Sequence, residues 1–340
     1  MALRAGLIGF GLAGRYFHAP LIEAAGFELS AVVTSRAKDV RDNHPRAAVV
    51  DSADTLIASD DIDVVVIASP NQFHFPQARD AILAGKHVIV DKPLSITSSE
   101  AESLAELARG HNVKLAAFQN RRWDSDFLTI QSLLARQQLG EVVFYRARWD
   151  RFRPTVADRW RERPEPGGGI LYDLGSHLID QALCLFGKPD WLTADVFMQR
   201  KGAAVDDGFE ILMGKGALRI SLGVSSLAAD GDWRYCLHGT SGSFFKRGLD
   251  PQEEQLRAGT PPAAASFGVE PENRWGTLTR DAGARTIESA RGTWVRFYER
   301  MRSAIENNDP EPVTASEAAL ILRVIEAAQR SSSEGRRVDL

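Results

Sequence analysis

The stretch Leu7-Ile8-Gly9-Phe10-Gly11-Leu12-Ala13-Gly14 decides the fold of the first part of this 340-residue chain. A short apolar run enters a G-x-G-x-x-G pattern, and an amphipathic helical pattern follows through Ile22. In such a unit Gly9 permits the tight turn, Gly11 lets a pyrophosphate approach the backbone, and Gly14 lets helix and strand pack closely. The positive end of the helix favours phosphate. The order of strand, loop and helix predicts a dinucleotide site at these residues rather than a purely structural turn.

The length and composition are those of a globular protein with two domains, which we predict at residues 1–120 and 121–340. The formal net charge is -4 and charged residues make up 25% of the chain, so neither nucleic acid nor an anionic membrane is expected as a partner. No segment reaches the roughly 18 apolar residues of a membrane span. Cys184 and Cys236 cannot form a disulfide framework or a four-ligand zinc site, so we expect no metal and a cytoplasmic location.

Apolar, β-branched runs alternate with helical patterns in the first domain. The strands are predicted at residues 27–34, 63–69, 87–90 and 114–118, after the first strand. This alternation predicts an α/β fold, a Rossmann-type doubly wound parallel sheet with right-handed crossovers. Ligands of such sheets lie beyond the carboxyl ends of the strands, which places Ser69-Pro70-Asn71 and Asp91-Lys92 at the cofactor edge.

The residues after the second strand bear on the choice of nucleotide. An acidic residue about 20 positions beyond the glycine loop binds the ribose hydroxyls of NAD, whereas an arginine accommodates a 2′-phosphate. Here the position holds Ser35-Arg36, so NADP is favoured and NAD stays possible. The alternative is that Arg36 is only a solvated loop charge.

Strand patterns succeed one another in the second domain. Residues 141–150 alternate with a period of two, and further strands are predicted at residues 192–199, 209–213, 217–224 and 233–238. Because no helix intervenes between most of them, we predict an α+β domain with an open, largely antiparallel sheet. Helical patterns at 295–305 and 316–330 are expected to pack between the domains or back on the first.

A second group of chemically active residues follows Gly167-Gly168-Gly169. On a helix from Ile170, Asp173, His177 and Asp180 share one face. An Asp one turn from a His can fix the tautomer of the imidazole and raise its basicity. The alternative is an ordinary helix with a buried histidine, but the glycines would let the helix start lie close to a ligand.

These groups suit hydride transfer from a carbinol. A base must remove the hydroxyl proton as hydride leaves carbon, and a cation must stabilise the developing alkoxide. His177 suits the first role, and Lys92 suits the second or relays the proton itself. Asp173 would orient His177 or hold a neighbouring substrate hydroxyl.

The motifs together resemble the Gfo/Idh/MocA oxidoreductase family along the whole chain, and its NADP-dependent scyllo-inositol dehydrogenase branch in particular. The resemblance lies in the glycine loop and in four further stretches, which are Phe17-His18-Ala19-Pro20, Asn120-Arg121-Arg122-Trp123-Asp124, Arg159-Trp160-Arg161-Glu162 and Leu171-Tyr172-Asp173-Leu174-Gly175-Ser176-His177. It implies a Rossmann domain, an open sheet that carries substrate and mediates dimers or tetramers, and a catalytic set of Lys92, Asp173 and His177. The family's usual Glu-Lys-Pro is Asp91-Lys92-Pro93 here, with an acid one methylene shorter.

The resemblance also implies ligand contacts. Ser69, Pro70, Asn71 and His74 should line the nicotinamide ribose, and Trp160 should reach the nicotinamide end. The substrate contacts it implies are Asn120, Arg122, Asp150, Arg153, Tyr172 and Tyr235.

Three functions are compatible with these residues. The first is reversible NADP-linked oxidation of a cyclic polyol or sugar. The second is reduction of another substrate, such as a dihydrodiol or a biliverdin-like tetrapyrrole, and the third is a non-catalytic NADP sensor. The presence of Lys92, Asp173 and His177 favours a sugar-like carbinol over the second, and a sensor would tolerate the loss of this set.

Overall fold

The structure, a computed structural model, describes residues 2–231 and 233–340 and divides the chain into two compact units. The sequence predicts a division near residue 120, with packing of the later helices back on the first domain as one alternative, and two later segments do belong to the first unit. The first unit is Met1–Asn120, Gln252–Phe267 and Thr293–Ala319, and the second is Arg121–Pro251, Gly268–Gly292 and Leu320–Leu340. The return has a packing cause, because the rings of Phe297 and Tyr298 lie 4.9 and 5.8 Å from that of Phe118.

The first unit is built on a six-stranded sheet in which every pairing is parallel. The strand order β3-β2-β1-β4-β5-β6 is the doubly wound order, so the predicted fold is confirmed. The elements are β1 (Arg4–Ile8), α1 (Ala19–Ala24), β2 (Glu28–Val33), α2 (Ala37–Asn43), β3 (Ala48–Val50), α3 (Ala53–Ile57), β4 (Val64–Ile67), α4 (His74–Leu83), β5 (His87–Asp91), α5 (Ser98–Gly110) and β6 (Leu115–Phe118). The sequence analysis missed β3, which is short and only partly buried at the sheet edge.

The remaining elements follow in chain order. They are α6 (Ser125–Ala135), β7 (Val142–Arg148), α7 (Ser176–Phe186), β8 (Trp191–Phe197), β9 (Gly208–Lys215), β10 (Leu218–Ser225), β11 (Trp233–Gly239), β12 (Gly242–Arg247), α8 (Gln252–Arg257), β13 (Gly276–Arg280), β14 (Gly283–Ile287), α9 (Val295–Asn307), α10 (Ala315–Glu334) and β15 (Val338–Asp339). Within the part of the chain that the structure describes, none of these helices has the length and apolarity to cross a membrane.

The second unit contains a nine-stranded sheet in the order β14-β13-β12-β11-β7-β10-β9-β8-β15. Only the β7–β10 pairing is parallel among these strands, which confirms the predicted largely antiparallel sheet. Alternate residues such as Tyr145, Ala147, Tyr235 and Leu237 are buried and form the core face. Strands β12 to β14 were not predicted, and β14 is exposed along nearly its whole length and so lacks an apolar alternation.

The helix predicted from Ile170 begins differently. Residues Leu171–Gly175 form a π-helical turn, and α7 starts only at Ser176. The first helix after β1 begins in the same way, with a π-helical turn at Gly14–His18. Asp173 therefore lies in a π turn and His177 in the first turn of α7, rather than both in one regular α-helix.

Candidate functional site

The glycines after β1 have different surroundings. Gly9 adopts φ +97°, and a Cβ there would lie 2.6 Å from the carbonyl oxygen of Ala68. A Cβ on Gly14 would overlap the carbonyl oxygen of Gly9, so the fold itself requires both glycines. A Cβ on Gly11 would meet nothing within 4 Å. The open side of the loop is therefore at Gly11, where a pyrophosphate would approach the backbone.

The other loop residues divide between the core and the surface. Phe10 is buried and its ring meets that of His44 edge-on at 5.9 Å. Leu12 is 49% exposed, and Ala13 is partly exposed. Any contact of Phe10 with a nucleotide would thus be through its backbone.

Ser35 and Arg36 are exposed just beyond the carboxyl end of β2. The backbone N–H of Arg36 donates to Thr34 Oγ1 at 3.0 Å, which turns the chain into α2. On α2, Asp39 pairs with Arg15 at 3.0 Å. Arg36 is thus an exposed residue just beyond the carboxyl end of β2, as binding of a 2′-phosphate requires.

His74 joins the loops that follow β4 and β5. Its Nδ1 lies 2.7 Å from the carbonyl oxygen of Pro93, and its Nε2 lies 2.9 Å from that of Ser69. The imidazole is 1% exposed, so it holds the loops together rather than offering a free edge to a ribose. Ser69 donates its hydroxyl to Gln77 at 2.7 Å, while Asn71 is buried at the start of a 3-10 turn.

Asp91 and Lys92 lie at the carboxyl end of β5, and the Lys92–Pro93 bond is cis. The Lys92 N–H donates to Asp91 Oδ1 at 2.8 Å. The carboxylate therefore fixes the backbone that carries the candidate catalytic amine. The shorter acid at this position thus bonds the backbone N–H of the lysine.

Beneath this acid lies His18, a fully buried histidine that sequence reasoning did not assign. Its Nε2 is 3.9 Å from Asp91 Oδ1, and its Nδ1 is 2.6 Å from Tyr298 Oη. Burial lowers the pKa of His18 to about 4, with Asp91 acting in the opposite direction, so the ring is neutral. Burial first and then Asp91 raise the pKa of Tyr298 well above its usual range, which keeps the phenol protonated. Tyr298 can then donate to Nδ1, which leaves the N–H of His18 on Nε2, facing Asp91.

Asp173 and His177 both lie at the start of the helix in the second unit. The Nε of Arg161 lies 3.3 Å from Asp173 Oδ1. The ring of His177 is 5% exposed and lies 5.9 Å from that of Trp149, tilted by 32°. Trp149 is itself flanked by guanidinium groups, those of Arg121 and Arg234, each 4.7 Å from its ring. An acid and a base thus occur at one helix start, each against a specific neighbour.

Two residues predicted to contact substrate are held by α7 instead. Arg122 donates to both oxygens of Asp180, and the shortest distance between them is 2.6 Å. Tyr235 is 1% exposed, and its hydroxyl donates to Gln181 at 2.8 Å. The structure therefore gives Tyr235 a core hydrogen bond in place of a ligand-accessible hydroxyl. Asp180, which sequence reasoning placed beside His177, serves as the partner of Arg122.

The other predicted contacts are more dispersed. Asp150 accepts from Arg148 at 2.7 Å and from the backbone of Ser225 at 2.8 Å. Arg153 is exposed and Tyr172 is 7% exposed. Asn120, at 5% exposure, belongs to the first unit, and Trp160 starts a 3-10 turn of the second.

The glycine triplet before the helix has a structural explanation. A Cβ on Gly168 would lie 2.7 Å from the carbonyl oxygen of Arg163, and one on Gly169 would overlap the carboxylate of Asp206. Asp206 also accepts the N–H of Leu171 at 2.7 Å. Gly168 and Gly169 therefore admit a neighbouring loop and an acid that accepts a helix-start N–H, which is a structural role that the sequence analysis did not foresee.

The sequence comparisons agree with this architecture. Residues 3–119 match a family model described as an oxidoreductase family NAD-binding Rossmann fold, and residues 131–340 match its C-terminal alpha/beta domain. The uncharacterized oxidoreductase YdgJ of Escherichia coli is 42% identical and covers 97% of this chain and 96% of its own. The scyllo-inositol 2-dehydrogenase (NADP(+)) IolW of Bacillus subtilis is 38% identical, and the match covers 99% of this chain and 96% of IolW.

The solved structures agree as well. The structure of YvaA from Bacillus subtilis superposes with a TM-score of 0.97 at 38% identity and covers 100% of this chain and 98% of that one. At this similarity both the parallel sheet and the mixed sheet are shared.

Proposed function

Because the chain belongs to the Gfo/Idh/MocA oxidoreductase family, we propose that it transfers hydride between NADP and a secondary hydroxyl of a cyclic polyol or sugar. The reference substrate is scyllo-inositol with its ketone scyllo-inosose, since a relative 38% identical over nearly the full length bears that activity in its name. The observation that carries the proposal is the helix start with Asp173 and His177, in a chain whose β5 ends at Asp91, directly before Lys92.

The first unit offers groups that fit a dinucleotide. The loop is open at Gly11, and Arg36 presents an exposed guanidinium beyond β2. A guanidinium binds phosphate through paired N–H donors, so its position favours NADP over NAD. When bound, the nicotinamide supplies the chemistry of hydride acceptance and return.

In the direction of oxidation, we propose that His177 is the base for the reacting hydroxyl. Its imidazole accepts the hydroxyl proton as the carbon–hydrogen bond breaks, and Asp173 orients the base or a neighbouring substrate hydroxyl. The ammonium of Lys92 stabilises negative charge on the substrate oxygen, which is largest part-way through the reaction. Asp91 fixes the backbone of Lys92 at 2.8 Å, and so limits where the amine can reach.

A polyol and sugar panel tests the proposal, with NADPH absorbance as the readout. The wild type should oxidise scyllo-inositol or a related ring polyol, and His177→Ala should lower turnover by about 10²- to 10⁴-fold, the usual loss for an acid–base group. His111→Ala, which changes an exposed histidine, is the matched control. Tight NADP binding without turnover of any panel member would favour the sensor and contradict the proposal.

The proposal includes location and assembly. We place the enzyme in the cytoplasm as a homodimer or homotetramer, with a small-molecule substrate and neither nucleic acid nor membrane as a partner. Exposed apolar side chains on the second sheet, such as Leu212 and Trp233 at 42% each, support association through that sheet. Sedimentation equilibrium gives the number of subunits.

A further inference from the structure

We infer that Arg161 determines substrate specificity together with Asp173, by forming a donor–acceptor pair that selects two neighbouring hydroxyl groups. The inference rests on the proposed function and specifies which substrate groups the site binds, namely two neighbouring hydroxyls. Arg161 Nε lies 3.3 Å from Asp173 Oδ1, with 32% and 19% of the two side chains exposed. The pair is thus accessible to a solute yet partly withdrawn from water.

A buried ion network holds the turn that carries Arg161. The next residue, Glu162, is 8% exposed and accepts from Arg159 at 2.6 Å and from Arg200 at 2.9 Å. Arg200 in turn pairs with Asp207 at 2.8 Å. Buried and mutually satisfied charges fix a loop more firmly than exposed ones do. The Arg161 backbone is therefore anchored from one side by the β8–β9 region.

The same backbone is tied to the helix start from the other side. The N–H of Gly169 donates to the carbonyl oxygen of Arg161 at 2.9 Å. Asp206 then caps the helix through the N–H of Leu171, two residues before Asp173. Both members of the pair thus sit on backbone segments that hydrogen bonds join to each other.

The chemistry of the pair matches a vicinal diol. The Asp173 carboxylate can accept a hydrogen bond from one hydroxyl, and the guanidinium has several fixed N–H donors, of which Nε faces Asp173. Other donors of the guanidinium can bind the oxygen of the adjacent hydroxyl. Because the charges of the pair cancel, the pair by itself favours neither a sugar acid nor an amino sugar over a neutral polyol.

A nearby pair shows what an ordinary surface contact looks like. Arg163 pairs with Asp158 at 2.8 Å, but 54% and 88% of these side chains are exposed. Pairs of this kind contribute little, since water screens them. Arg163→Gln is therefore the matched control for Arg161→Gln, two residues away on the same loop.

Steady-state kinetics on scyllo-inositol and on a deoxy analogue lacking the neighbouring hydroxyl test the inference. Arg161→Gln should raise KM for the polyol by about 10-fold or more, the effect of a lost charge-assisted hydrogen bond, with a smaller change in kcat. KM for the deoxy analogue should change little, and Arg161→Lys should restore part of the loss. Equal behaviour of Arg161→Gln and Arg163→Gln would overturn the inference.

A binding experiment on the NADP-loaded protein separates this inference from the proposed function. Asp173→Asn leaves the Arg161 charge uncompensated, so calorimetry should show tighter binding of glucuronate relative to scyllo-inositol. The double variant Arg161→Gln/Asp173→Asn should lose that gain, and a gain that persists would contradict the pairing. Absence of polyol turnover in the wild type would refute the proposed function alone, because these binding ratios need no turnover.

Discussion

Tyr298 and His18 stand 280 residues apart in the chain, yet Tyr298 Oη lies 2.6 Å from His18 Nδ1 in the interior of the first unit. His18 Nε2 faces Asp91 across 3.9 Å, longer than a hydrogen bond. The acid at position 91 in turn accepts the N–H of Lys92. A buried polar chain therefore runs from α9 to the backbone of the candidate catalytic lysine.

His18 makes stability depend on pH. Its pKa is lowered from 6.5 to about 4 by burial, so between these values the unfolded chain binds a proton that the folded protein does not. Above about pH 6.5 His18 does not lower the free energy of unfolding. As the pH falls from 6.5 toward 4, the free energy of unfolding decreases by up to about 3 kcal/mol. Urea unfolding across this range should show the loss in the wild type. His18→Gln should lack this component, and an unchanged pH slope in that variant would disprove the assignment.

Two substitutions in the glycine loop should have different effects, one on stability and the other on nucleotide binding. Gly14→Ala places a Cβ against the Gly9 carbonyl and should destabilise the protein by about 1–3 kcal/mol. Gly11→Ala meets no atom within 4 Å, so its melting temperature should stay close to that of the wild type. It should nevertheless weaken NADP binding by roughly 10-fold or more, because the methyl group occupies the space of the pyrophosphate. Thermal melting and nucleotide titration check both, and a destabilised Gly11→Ala would contradict the loop geometry.

Arg36 should distinguish the two nucleotides. Arg36→Gln removes the guanidinium at the end of β2 and should raise KM for NADP by roughly 10- to 100-fold, the value of a charge-assisted contact with phosphate. KM for NAD, which has no 2′-phosphate, should hardly change. Lys38→Gln, at an exposed position on α2, is the control. Equal losses for NADP and NAD would remove Arg36 from the 2′-phosphate site.

The sequence was most informative where burial is uniform along the chain. The four residues of β4 are all buried and β-branched, and their pattern predicts a central parallel strand directly. The half-exposed β3 and the exposed β14 carry no such pattern, so they became visible only in the structure. Local hydrophobic patterns reflect burial, and edge strands such as β3 and β14 are only partly buried or exposed.

The candidate site divides in a similar way. Gly11, Lys92 and His177 lie in recognisable motifs next to strand or helix ends. The partners of these motifs are set by tertiary contacts, as with Tyr298 beside His18 and Asp180 beside Arg122. Local sequence patterns do not predict such long-range pairs. Arg161 was within a recognised stretch, but its partner became apparent only once the loop was seen to fold onto the helix start.

Direct transfer of hydrogen from substrate carbon to the nicotinamide is the most decisive test of the proposed chemistry. The protein would be incubated with NADP and scyllo-inositol deuterated on its ring carbons, and the reduced nucleotide analysed by mass spectrometry. We predict deuterium in the nicotinamide ring of NADPH, and a strong loss of its formation rate in Lys92→Met and His177→Ala. Bound nucleotide that never acquires deuterium from this or any other ring polyol would contradict a carbinol dehydrogenase.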